Sequence, residues 1–180
     1  MKNWQKYKYV VERKKGLTMV ELLISLALIG VIILLVSSIY IFGVKIFDKG
    51  TTQSNIQVET TQAGDFITKE LRNAVEITFN TPVNIREYSM IYLDKNIIKY
   101  KPEGKTLEES VNKTDAIILD SNDLSFQTRN KNSMAFLNFT IKGTGKQQSY
   151  LLNSEVLLNN IKSIENSSSY NFIYYKVIKD

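Results

Sequence analysis

The hydrophobic and polar positions change their spacing twice along the chain. From Leu22 to Val44, 23 consecutive residues carry no charge: LLISLALIGVIILLVSSIYIFGV. As a helix this run is roughly 35 Å long, enough to cross a hydrocarbon core of about 30 Å. A soluble helix that is apolar all round needs a large core to hide in, and a chain of this length does not provide one. Residues 45–76 then show an apolar stripe, with Ile56, Ala63, Phe66, Ile67, Leu71, Ala74 and Val75 at three- and four-residue spacings. The stripe predicts a continuing amphipathic helix that packs on the protein's own sheet. Gly50 and Gly64 weaken that helix and predict bends or a break.

Beyond residue 76 the period shortens to that of strands. The predicted strands are 77–80, 88–93, 97–101, 116–119, 124–128, 134–142, 147–157 and 170–178. Asp94-Lys95-Asn96 reads as a hairpin turn, and Gly143-Thr144-Gly145-Lys146 as a second one. Pro102 to Asp115 reads as a polar loop, and Ser167-Ser168-Ser169 as a connector. Hairpin spacing implies a mainly antiparallel sheet, so the expected class is α+β, a long helix against that sheet.

Charge sharpens this outline. The net charge is +5, from 23 Lys and Arg against 18 Asp and Glu. Residues 1–16 hold six bases and one acid, 6 − 1 = +5, so the remaining 164 residues balance at 17 and 17. A nucleic-acid-binding body would carry the excess itself, so no nucleic-acid partner is expected for it. Basic residues just before an apolar span place the N-terminus in the cytoplasm and the body, 45–180, on the far side. A secretory leader has a shorter apolar stretch and a small-residue cleavage site, unlike this run. The chain has no His and no Cys, which removes His-dependent triads, thiolate nucleophiles and disulfides.

One charge interrupts the anchor. Glu21 directly precedes the long run, where a carboxylate is costly in lipid. It can serve as an interfacial acid favoured by the helix dipole, or it can await a positive partner in an assembly. The segment Lys14-Lys15-Gly16-Leu17-Thr18-Met19-Val20-Glu21-Leu22-Leu23 resembles the processing site of type IV prepilins. That resemblance implies cleavage between Gly16 and Leu17 by a prepilin peptidase, N-methylation of Leu17, and Glu21 at mature position five. It implies a leader at 1–16, a transmembrane and assembly helix at 17–44, and an extracytoplasmic pilin domain at 45–180. In such filaments the acid approaches the amino terminus of a neighbouring subunit.

Two features depart from many major pilins. Ser38 stands where they have a helix-kinking proline, and the cysteine pair is missing. Residues Asp65–Ala74 and Tyr150–Asn160 are similar to segments of W- and J-type minor pilins. The implied fold is that of type IV pilins, and the implied function is a structural subunit, not an enzyme, with no cofactor. Its partners would be other pilins, the peptidase, the inner-membrane assembly platform and, before assembly, membrane lipid. It would reside first in the cytoplasmic membrane and then in an extracellular or periplasmic filament. A tip adhesin or DNA-uptake pilin is the alternative.

Other candidate chemistry in the body is weak. Glu108, Glu109, Asp115, Asp120 and Asp123 lack calcium-loop spacing and read as a solvated loop. Gly143-Thr144-Gly145-Lys146 lacks the spacing of a phosphate loop. Tyr170, Phe172, Tyr174 and Tyr175 bury one face of a strand or form an exposed aromatic strip.

Overall fold

The structure is a computed structural model that describes residues 16–111, 119–120, 122–145 and 148–178. The chain divides into two compact units, Met1–Ile46 and Phe47–Asp180. One helix, α1 (Met19–Arg72), supplies the described helix of the first and opens the second. In the first unit it stays apolar on every side, and its most apolar 18-residue window has mean hydropathy 2.9 with none of it buried. A core helix of a soluble protein would have covered that surface.

In the second unit α1 has one inner face. Ile56, Thr60, Ala63, Gly64, Ile67 and Leu71 are its buried residues, at the three- and four-residue spacing of a single stripe. Among the described residues the unit also has eight strands: β1 (Ala74–Thr78), β2 (Ser89–Asp94), β3 (Ile97–Lys101), β4 (Glu109–Ser110), β5 (Leu124–Lys131), β6 (Met134–Gly145), β7 (Gln148–Leu157) and β8 (Phe172–Val177). These form two antiparallel sheets, one in the order β1-β8-β2-β3-β4 and one in the order β5-β6-β7. The α+β class is as expected, but the sheet is split in two. Ala63, Ile67 and Leu71 share one core with Ile91 and Tyr175 of the first sheet and Leu137, Phe139 and Val156 of the second. Each fully buried Ile, Leu or Phe there contributes about 1.5–3 kcal/mol.

Three boundaries differ from expectation. The helix runs through both Gly50 and Gly64 without a break and ends at Arg72. Ala74 and Val75, expected on its stripe, belong instead to β1, where Ala74 pairs with Val177 of β8. Gly143-Thr144-Gly145 does not turn but continues β6, with Gly143 opposite Tyr150. β6 continues to Gly145; Lys146, the last residue of the expected turn, lies outside the described residues, as do 116–118 of the expected 116–119 strand. The short β4 sits inside the expected polar loop. Asp94-Lys95-Asn96 does turn: Lys95 and Asn96 have φ of 44° and 71°, the two positive values of a tight hairpin loop. Asn132 and Ser133 repeat that geometry between β5 and β6, with φ of 52° and 60°.

Polar links fasten α1 to the first sheet. The Tyr175 hydroxyl donates to Glu70 Oε2 at 2.8 Å, and the rings of Phe66 and Tyr100 meet edge to face at 5.1 Å. Burial, and then the Glu70 charge, push the Tyr175 phenol well above the usual tyrosine range. Tyr100 and Tyr92 are also raised, chiefly by burial. The folded state thus keeps protons that the unfolded chain releases near pH 10, so stability is intact below that pH and falls above it. Each such phenol adds a slope of up to about 1.4 kcal/mol per pH unit. Urea unfolding between pH 9 and 12 should show the fall, and Tyr175→Phe should make it shallower; an unchanged slope would refute the Tyr175 contribution.

Candidate functional site

Among the residues singled out from sequence, Gly16, Leu17 and Glu21 come together at the start of α1. Gly16 is exposed, and a Cβ built on it would meet nothing within 4 Å. Leu17 is 74% exposed. Both residues are therefore exposed on either side of the bond that joins them.

Thr18 is the helix cap. Its carbonyl accepts from Leu22 N at 3.1 Å, and its hydroxyl oxygen accepts from Glu21 N at 3.3 Å. The Glu21 carboxylate reaches back in return: Oε2 accepts from Thr18 N at 2.8 Å and from the Thr18 hydroxyl at 2.9 Å. This is a capping box, threonine followed three residues later by glutamate. It satisfies orphan donors of the first turn and places the carboxylate one residue from Leu17. The sequence pattern places Glu21 at the helix start, favoured by the dipole or awaiting a positive partner, and gives Thr18 no role. The Thr-x-x-Glu spacing was the signal that could have found it.

The rest of the segment is built to stay helical in an apolar setting. Ser25 and Ser38 donate their hydroxyls to the carbonyls of Glu21 and Leu34, at 2.7 and 2.9 Å. Each hydroxyl is thereby satisfied within its own helix. Leu22, Ile29, Ile33 and Phe42 are all more than half exposed.

The acidic candidates of the body have local structural roles. Asp123, 7% exposed, accepts from Asp120 N at 2.8 Å and sits 3.7 Å from Lys142 Nζ. Glu108 accompanies Tyr92, and Glu109 lies in β4. Asp115 lies outside the described residues, and among the described ones no three acids gather as a metal site would need. Tyr175 is buried under α1. Phe79, Tyr170, Phe172 and Tyr174 stack in series on the other side of β8, with centroids 4.6 to 5.9 Å apart. They are half-buried or buried against one another, so the strip is a packed ladder.

Residues 12–37 match the family model described as the prokaryotic N-terminal methylation motif. The fold is similar to that of the D319A mutant of the PilB minor pilin from Streptococcus sanguinis, with a TM-score of 0.52 and 15% identity. The chain is type IV prepilin-like. The fold similarity covers 70% of this chain but only 35% of that protein. No curated protein matches the chain. The motif of this prepilin-like chain spans Gly16, Leu17, the capping box and more than half of the apolar run.

Proposed function

We propose that the chain is a minor pilin or pseudopilin, a structural subunit that initiates, caps or joins a filament of the type IV pilus or type II secretion kind. The observation that carries this reading is the methylation motif over residues 12–37, on a helix whose apolar surface is left uncovered in its first unit. The basic leader holds the junction at the cytoplasmic face. A prepilin peptidase cuts between Gly16 and Leu17 and methylates the new amino terminus of Leu17. Gly16, lacking a side chain, allows the close backbone approach that proteolysis needs. The span then rests in lipid until other pilins cover it, with the assembly platform as the membrane partner.

Glu21 sets register in that assembly. Its carboxylate meets the amino terminus of Leu17 on a neighbouring subunit. Unpaired in a low-dielectric core it would cost several kcal/mol, and pairing offsets that cost. Because Glu21 also belongs to the cap, two substitutions separate its roles. Glutamine at this position keeps a capping box and removes the charge, whereas alanine removes both. Glu21→Gln and Glu21→Ala should both insert and be cut, yet both should enter filaments poorly. Quantifying each variant in sheared filaments checks this, and wild-type incorporation of Glu21→Gln would defeat the charge-pairing role.

A further inference from the structure

The four sheet edges of the globular unit are not treated alike. β4 has two residues, too few to template another strand. β1 has five and is irregular in register between Ala74 and Glu76. The edge of β5 is covered by the chain itself: Phe126 N donates to Tyr170 O at 2.7 Å, and Tyr170 N returns to Phe126 O at 3.0 Å. Further along, Thr128 N donates to Ser167 Oγ and Asn130 N to Asn166 Oδ1, each at 2.9 Å. Short length, irregular register and cover are the ordinary defences of an exposed edge.

β7 has none of them. It is ten residues long, pairs among the described residues only with β6, and keeps unbroken register from Gln148 to Leu157. It contains no proline and no lysine, and Glu155 is its one charge. The bond from Leu158 N to Ala135 O, 3.0 Å, sets the phase of the ladder. Even-numbered residues of β7 therefore bond to β6, and Ser149, Leu151, Asn153, Glu155 and Leu157 turn N–H and C=O outward. Among the described residues nothing accepts or donates to those backbone groups. The same positions put Leu151 and Leu157, 54% and 41% exposed, on the outer face on either side of Glu155.

We infer that β7 is a docking edge for an extended strand of a companion pilin-like subunit. That strand adds to the sheet, with a basic residue facing Glu155 and apolar residues facing Leu151 and Leu157. The inference rests on the filament reading above. A second copy of this chain is disfavoured as the occupant. Pairing β7 with itself in antiparallel fashion requires a two-fold axis normal to the sheet. That axis reverses the direction of the helical segment 47–72, while both copies must enter from one membrane.

Proline tests the edge because it removes an N–H that points outward and spares the ladder to β6. The full-length chain, carrying a photoreactive residue in place of Asn153, is cross-linked in the cells that make it, and the joined peptides are sequenced by mass spectrometry. The expected adduct is to a strand of a different chain bearing its own methylation motif. The double change Leu151→Pro and Glu155→Pro should cut its yield about tenfold, since two of the outward donors are gone. Leu151→Lys with Leu157→Lys, which leaves the backbone untouched, should do the same if the proline variant misfolds. No adduct, an adduct only to a second copy or to an unrelated protein, or a yield indifferent to correctly folded variants overturns the proposal. Leader cleavage is scored in the same cells: an uncut chain sinks the filament reading, whereas a cut chain without the adduct sinks the edge alone.

Discussion

Gly16→Val should leave the chain as uncut precursor, heavier than the mature form by its sixteen-residue leader. The effect should be close to all-or-none. Structure makes the test clean, because a Cβ at residue 16 would meet nothing within 4 Å. Valine therefore costs the folded body nothing, and its melting temperature should match wild type. A processing defect then reports on the proposed cleavage, for which a residue without a side chain allows close backbone approach. Immunoblotting membranes for the two forms decides the matter, and normal maturation of Gly16→Val would refute the junction. Gly50→Ala is a useful companion. Its added Cβ also meets nothing, and it should raise helix stability by up to about 1 kcal/mol while leaving cleavage intact.

The N-terminal features were legible because they depend on local sequence. The apolar run, the basic leader and the Gly16 to Glu21 spacing require no tertiary contact to be read. The hairpin at Lys95-Asn96 was legible for the same reason. Thr18 was hidden because the capping box, residues 18–21, lies inside the processing segment, whose pattern accounts for Glu21 without it. The helix end was not legible. Ala74 fits the helical stripe and is buried either way, and what decides its conformation is a partner, Val177, a hundred residues away. Gly143 misled for a related reason. Glycine suggests a turn, but here Gly143 continues β6 opposite Tyr150, and a strand tolerates glycine where pairing with its neighbours fixes the backbone. The division into two sheets likewise rests on pairings between strands far apart in sequence.

Gly64→Phe should destabilise the globular unit by about 3 kcal/mol, the upper end of what overpacking a core costs. At Gly64, α1 lies directly against the second sheet. Even a Cβ there would collide with Leu152 Cδ2 of β7, and it would stand 3.6 Å from Phe139 Cε2 of β6. Glycine mid-helix costs about 1 kcal/mol relative to alanine, so its presence reflects this contact. The colliding atom is the end of a flexible, half-buried side chain, so alanine can be accommodated by a rotamer change of Leu152. Gly64→Ala should then be nearly neutral, propensity gained against packing lost. Phenylalanine cannot be accommodated that way, because Phe139 already stands 3.6 Å from where its Cβ would lie. Adding Leu152→Ala should restore part of the loss in Gly64→Phe while destabilising the wild type, a coupling that equilibrium unfolding of the four proteins measures directly. Strict additivity would mean that α1 and β7 do not touch at this point. Because β7 is also the open edge, loosening this contact should weaken partner docking in the same order as it weakens the fold.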